Sequence, residues 1–209
     1  MKIFQAHEYK ATQMVKLESL LSSSSSPIIG IGEIGLDFSH KNHNPPMVQE
    51  VVFMQQLELA NKMDLPVILH FRESYRKGLD ILKNVINPLT PLHVHCFTSD
   101  WNTAQDFLAN FRNVFFGFTG LITYPSAEET RAIVSKLPIE RILLETDSPF
   151  FKMAKSNSRS FSLPQDIPII GTELGELKRK GVNDILTQNI ANSKKVYSKY
   201  FQLLDAYQN

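Results

Sequence analysis

Short apolar runs alternate with longer helical patterns along most of this chain, and four of the runs lead directly into a Glu, His or Asp residue. Runs of this length that are rich in Ile, Val and Leu are typical of buried parallel strands. The runs are Ile28–Gly32 before Glu33, Pro66–Leu69 before His70, Leu92–Val94 before His95, and Arg141–Leu144 before Glu145 to Asp147. Because helical patterns separate them, we predict an α/β fold with a parallel sheet and right-handed crossovers.

The polar residues that follow these runs are expected to share one edge of the sheet. Parallel strands wrapped by helices carry their chemistry on the loops at their carboxyl ends. A Glu, two His and an Asp that converge there suit a divalent metal ion whose bound water attacks a substrate. We therefore predict that Glu33, His70, His95 and Asp147 are metal ligands.

Each of these residues also has a structural interpretation when it is considered alone. Glu33 could pair with a buried Arg or Lys, and Asp147 could cap the loop that follows it. A single His at a strand end is commonly a structural hydrogen-bonding residue, but two consecutive strands that end this way favour the metal hypothesis. His93 shares the side-chain parity of His95, and Glu145 shares that of Asp147. Both His93 and Glu145 lie one layer deeper. His93 is therefore either a packing residue or a residue that supports the ligands.

Length and charge limit the classes of protein that this chain can belong to. It has 209 residues, 43% of them hydrophobic, without a break in composition, and we predict a single domain over residues 1–209. A net charge of +1, from 22 Lys and Arg against 21 Asp and Glu, argues against a strongly basic nucleic-acid binder. A local basic patch could still hold phosphates. The candidate substrate-binding residues near the predicted edge are Arg72, Lys152, Lys155 and Arg159, although the last three could equally form a solvated loop.

Cysteine content and hydropathy bear on where the protein works. Cys96 is the single cysteine, so the chain cannot form an internal disulfide, and a reducing compartment fits. No apolar stretch is long enough to span a bilayer, and the start lacks the apolar core of a signal peptide. We therefore expect an intracellular protein, cytoplasmic or nuclear, with no membrane partner. The sequence leaves the oligomeric state open.

The number of strands suggests an incomplete barrel. We predict five strands and a sixth at Lys2–Phe4, whereas a closed TIM (β/α)₈ barrel needs eight strands and about 250 residues. The chain ends in two predicted helices, at about Asp166–Lys180 and Asn183–Phe201, so the shortfall of about two βα units lies at the start. The expected fold is a TIM (β/α)₈-type barrel, N-terminally incomplete, with about six of eight strands.

Four segments resemble the successive signatures of TatD-type metal-dependent deoxyribonucleases. They are Gly32–Phe38 (GEIGLDF), Pro66–His70 (PVILH), His95–Thr98 (HCFT) and Leu144–Pro149 (LETDSP). Their order and spacing also match, and the resemblance covers nearly all of the chain. It implies a TIM barrel of the metal-dependent hydrolase kind that hydrolyses phosphodiester bonds in DNA, often as a 3′–5′ exonuclease.

The resemblance also implies roles for individual residues. It makes Glu33 a carboxylate that can bridge two metal ions, and it assigns His70 and His95 to one metal position. Asp147 matches the aspartate that binds the other ion and accepts a proton, so Glu33 and Asp147 are the expected catalytic carboxylates. The implied cofactor is a divalent ion (Mg, Mn or Zn), one or two per chain.

The chain departs from the family pattern at its start. Such proteins begin with a strand that bears a His-x-His pair, and the only histidine before Glu33 here is His7. We therefore expect that the family's first two strands are missing and that at most one ion binds tightly. Two rival hypotheses remain: a non-catalytic relative that acts as a binding or interaction protein, and a hydrolase of another ester or amide.

Overall fold

A computed structural model of the chain describes residues 11–22, 28–39, 44–154 and 160–208. The strands are β1 (Ile31–Asp37), β2 (Val67–Arg72), β3 (Leu92–Val94), β4 (Val114–Phe118) and β5 (Ile142–Leu144). The helices are α1 (Ala11–Leu21), α2 (Pro46–Met63), α3 (Tyr75–Val85), α4 (Trp101–Asn110), α5 (Glu128–Lys136), α6 (Ile167–Lys178), α7 (Val182–Val196) and α8 (Ser198–Gln208). Within these residues, no helix has the length and apolar character needed to cross a bilayer.

The five strands form one parallel sheet in which their spatial order equals their order in the chain. Helices α2 to α5 connect successive strands, as the right-handed βα crossover requires. The parallel α/β architecture predicted from the apolar runs is confirmed, and it is that of an incomplete TIM-type barrel. The sixth strand, predicted at Lys2–Phe4, lies outside the described residues, as does His7.

Side-chain alternation divides the apolar residues between the two faces of the sheet. The face covered by the helices carries the larger cluster, in which Phe116 packs with Phe107 of α4 at a ring separation of 6.2 Å. Phe115 points the other way and packs with Leu143 and Val196 in a second cluster. His93 is the register partner of Phe115, so this second face is also the one that carries His93.

Strand β1 is irregular at the point where it presents Glu33. Its register against β2 shifts between Ile31 and Ile34, which is the signature of a β-bulge, and bulges commonly redirect a side chain. Gly35 then approaches the neighbouring strand closely. A Cβ atom there would lie 2.0 Å from the carbonyl oxygen of His70, and its φ of +150° is a conformation that side chains disfavour.

The last helical segment differs from the prediction. The apolar pattern predicts one helix from Asn183 to Phe201, but the structure has two helices, α7 and α8, separated at Tyr197. Tyr197 has φ −111° and ψ 42°, which is outside the helical region. Its hydroxyl lies 2.7 Å from Nδ1 of His93, so a tertiary contact accompanies the break between the helices.

Candidate metal centre

The four residues predicted as metal ligands lie together at the carboxyl edge of the sheet. Glu33, in the bulge of β1, His70 of β2 and His95, just after β3, each place one potential ligand atom within 4.8 Å of the others. Asp147 follows β5, and its Oδ1 atom lies 3.7 Å from Nε2 of His95. The sheet thus brings together residues that are up to 114 positions apart in the chain.

The distances among these atoms are those expected of ligands around one cation. Nδ1 of His70 lies 3.2 Å from Oε2 of Glu33, and Nε2 of His95 lies 4.0 Å from Oε1 of Glu33. Both nitrogens are buried and have no hydrogen-bond partner. Ligands bonded at about 2 Å to one ion are about 3–4 Å apart. The donor set and its unbonded nitrogens therefore fit a divalent ion.

Glu145 holds the imidazole of His95 from the opposite side. Oε2 of Glu145 lies 2.8 Å from Nδ1 of His95, and Oε1 accepts a 2.5 Å hydrogen bond from the backbone N–H of Cys96. A carboxylate in this position accepts a hydrogen bond from Nδ1–H and thereby directs Nε2 toward a metal position. Nε2 of His95 accordingly faces Asp147 and Glu33.

A chain of polar contacts extends from Glu145 to the end of α7. Nε2 of His93 lies 3.1 Å from Oε2 of Glu145, and Nδ1 of His93 lies 2.7 Å from the hydroxyl of Tyr197. His93 thus contacts Glu145, the residue that holds the candidate ligand His95, and this agrees with one of the two interpretations that its side-chain parity allowed. The contact with Tyr197 links the metal centre to the break between α7 and α8.

The electrostatics of the centre favour a positive charge. Burial lowers the pKa of His95, but Asp147, Glu145 and Glu33 outweigh it and raise that pKa to about 10. Burial opposes ionisation of Glu145, yet His93 and His95 hold the pKa of its carboxyl well below the usual range. Burial raises the pKa of the Tyr197 hydroxyl, and the charge of Glu145 adds to this effect. Glu145 is therefore a carboxylate and Tyr197 a neutral phenol.

The residues at this edge that have left-handed backbone conformations include Cys96, with φ 44°, and Asp147, with φ 52°. Such conformations cost about 1–3 kcal/mol for residues other than glycine and cluster at functional sites. At Cys96 the left-handed turn occurs where the N–H donates to Glu145. At Asp147 the turn comes three residues after the end of β5 and precedes the loop that contains Phe150.

The predicted substrate-binding residues fall into two groups. Arg72 ends β2 with its side chain half exposed, and its Nη1 donates a 3.1 Å hydrogen bond to Oδ2 of Asp37. Lys152 is exposed in the loop after β5, where its carbonyl oxygen accepts a 2.7 Å hydrogen bond from the Tyr124 hydroxyl. Lys155 and Arg159 lie outside the described residues.

Sequence reasoning missed two residues that shape the centre, Tyr197 and Gly117. A Cβ atom on Gly117 would lie 2.3 Å from Oε1 of Glu145 and 2.6 Å from Nε2 of His93, so only glycine leaves room for the Glu145 carboxylate. A glycine within a strand pattern can indicate close approach by a neighbour, and this signal was present in β4. Tyr197 gave no comparable signal, because it looked like one more apolar position of a helix.

Comparison with known proteins supports the resemblance seen in the sequence. The model of the TatD related DNase family matches residues 4–198. The human 3′-5′ RNA nuclease TATDN2 is 40% identical over 123 residues, which are 59% of this chain and 16% of that protein. The 3′-5′ ssDNA/RNA exonuclease TatD of Yersinia pseudotuberculosis is 30% identical over 186 residues, 87% of this chain and 70% of the relative.

A solved structure gives the same result at the level of the fold. The crystal structure of YJJV, a TATD homolog from Escherichia coli, superposes with a TM-score of 0.82 at 30% sequence identity. The match covers 92% of this chain and 72% of the other, so the fold agrees over nearly the whole chain. The family model, the relatives and the fold agree, and the chain belongs to the TatD related DNase family.

Proposed function

We propose that this protein is a metal-dependent hydrolase that cleaves phosphodiester bonds of nucleic acid, with single-stranded DNA as the first substrate to test. The observation that carries the proposal is the unbonded Nε2 of His95, 3.7 Å from Asp147 and 4.0 Å from Glu33. The relatives' names include both an RNA nuclease and an ssDNA/RNA exonuclease, so RNA is the second substrate. A reducing intracellular compartment, cytoplasmic or nuclear, suits a nuclease with one cysteine.

In the proposed mechanism Glu33, His70 and His95 would hold the ion, and Asp147 would accept a proton. When bound, a divalent ion supplies an acidified water and stabilises charge on the phosphoryl oxygens. The carboxylate of Asp147 is three-quarters buried and faces the same space as Nε2 of His95, where it can orient that water and take its proton. Glu145 keeps the His95 ring in the orientation that this requires.

The test compares metal-stripped and metal-loaded protein on labelled single-stranded DNA and RNA. We expect that Mn²⁺, Mg²⁺ or Zn²⁺ restores cleavage of at least one strand and that His95→Ala removes it. If the protein binds metal and single-stranded nucleic acid but cleaves neither DNA nor RNA, the proposal is overturned and the binding-protein alternative is favoured. Cleavage of carboxylate esters or amides, without cleavage of nucleic acid, would favour another substrate class.

Metal titration of the purified chain should show one tightly bound divalent ion. Glu33, His70 and His95 supply three protein ligands, which is sufficient for a catalytic ion with open positions. A second ion would share Glu33 and bind Asp147, and two carboxylates alone hold an ion weakly. The measurement is isothermal titration together with metal analysis. Two tight sites per chain would contradict the prediction.

Neutralising the basic residues after β5 should weaken binding of nucleic acid. Lys152 is exposed five residues after Asp147, and Lys155 and Arg159 follow it in the sequence. Each phosphate contact contributes to the salt dependence of affinity. The triple Gln variant should bind a single strand less tightly, with a smaller dependence on salt concentration. An unchanged affinity across a salt series would identify a solvated loop.

A further inference from the structure

Two phenylalanine side chains are exposed in the loop that follows the candidate metal centre. Phe150 is 62% exposed and Phe161 is 44% exposed, although aromatic side chains gain free energy from burial. The N–H of Phe150 donates a 2.9 Å hydrogen bond to the carbonyl oxygen of Asp147, which closes a four-residue turn. The Cα atoms at the ends of such a turn are less than about 7 Å apart. Phe150 therefore lies beside Asp147 at the edge of the sheet.

Hydrogen bonds fix the backbone that carries these rings. Ser162 is fully buried, and its N–H donates a 3.1 Å hydrogen bond to the carbonyl oxygen of Pro149. Its hydroxyl contacts the carbonyl oxygens of Thr146 and Phe150. Since Ser162 adjoins Phe161, these contacts hold the backbones of Phe150 and Phe161 next to each other. The two rings are thus exposed on an anchored part of the loop.

The segment after Phe150 is anchored as well, and it presents a positive charge. Met153 is buried, and the N–H of Ala154 donates a 2.9 Å hydrogen bond to Oγ1 of Thr123. The Tyr124 hydroxyl binds the carbonyl oxygen of Lys152, whose side chain is exposed. An exposed aromatic ring and an exposed cation therefore lie within six residues of Asp147.

We propose that Phe150, with Phe161 beside it, is a stacking platform for an unpaired nucleobase of the substrate strand. This inference rests on the proposed function, because the phosphodiester bond to be cleaved must lie at the metal centre next to Phe150. A base has an apolar face that matches an exposed ring, and the adjoining phosphate matches Lys152.

The platform would restrict the substrate to single strands or to frayed ends. Inside a duplex, away from its terminal pair, the faces of the bases are covered by their neighbours, so a protein ring reaches such a base only after it has left the stack. Stacking on a ring discriminates little among the bases, because each has a similar aromatic face. We therefore expect a preference for unpaired over paired ends, with little dependence on sequence.

The experiment compares Phe150→Ala with the parent protein, both loaded with metal, on two substrates. One is a short labelled single strand, and the other is the same strand with abasic sites at the end that is cleaved. Phe150→Ala should lower kcat/KM for the normal strand by about tenfold, mainly through KM, as expected for loss of one base–aromatic stack. Its effect on the abasic strand should be less than about twofold. Phe150→Trp should restore cleavage, whereas Phe150→Leu should not.

Leu89→Ala is the matched control, because Leu89 is a similarly exposed apolar residue in the loop between α3 and β3. It should leave kcat/KM unchanged for both strands. Equal losses on the normal and abasic strands would overturn the proposal, since they would place the effect of Phe150 on the centre itself. The absence of any loss on the normal strand would also overturn it.

Binding measurements separate this proposal from the proposed function. If the parent protein cleaves no strand, the proposed function fails. Fluorescence anisotropy then tests the platform alone, with the same pair of strands and the same variants. Tighter binding of the normal strand, lost in Phe150→Ala and regained in Phe150→Trp, supports base stacking. Equal affinity of the parent for both strands overturns it.

Discussion

Asp147→Asn should lower kcat for strand cleavage by about a hundredfold or more while the protein still binds its divalent ion. General-base catalysis contributes about 10²–10⁴-fold, and an amide cannot accept the proton of the attacking water. The substitution preserves shape, and Glu33, His70 and His95 remain to hold the ion. The measurement is kcat at saturating metal, together with metal affinity by titration.

Asp80→Asn is the control for Asp147→Asn. Asp80 is an exposed carboxylate of α3, so the same chemical change there should leave kcat and metal affinity unaltered. A decrease in kcat of less than about threefold in Asp147→Asn would contradict the role of Asp147 as proton acceptor. A large loss of metal affinity, with kcat restored at high metal concentration, would make Asp147 a ligand only.

Gly117→Ala should weaken metal binding by about 10- to 100-fold without altering a single ligand. The added Cβ would lie 2.3 Å from Oε1 of Glu145, so the carboxylate must move away from Nδ1 of His95. Loss of such a supporting contact typically costs this much in metal affinity. Overpacking should also lower the free energy of unfolding by about 1–3 kcal/mol. Metal titration and denaturant unfolding of the metal-free protein measure the two effects.

Gly181→Ala and Glu145→Gln complete that test. At Gly181 a Cβ would lie 3.4 Å from its nearest neighbour, Oδ2 of Asp184, so metal affinity should not change. Glu145→Gln keeps the volume of the side chain but removes its charge. It should reproduce the loss of metal affinity even if Gly117→Ala fails to fold. Unchanged affinity in both Gly117→Ala and Glu145→Gln would show that His95 needs no support from Glu145.

The positions of the four candidate ligands could be predicted because they depend on local pattern. An apolar run predicts a buried strand, and the residue at its carboxyl end must lie at one edge of a parallel sheet. This reasoning found His95, which directly follows β3, and Asp147, which comes after β5, whereas His70 lies within β2, two residues before the strand ends at Arg72. Glu33 was found from the same pattern, but it lies within β1 rather than after it, and the bulge that positions it was not foreseen.

The support of those ligands was decided only by the tertiary structure. Glu145 meets His95 across 50 positions of the chain, and His93 meets Tyr197 across 104. Side-chain parity assigns a residue to a face of the sheet, but it does not say which residue lies opposite. That choice depends on sheet register and on packing of the last helices, which act between distant segments. The same packing separates α7 from α8 at Tyr197, where helical periodicity alone predicts that the helix continues.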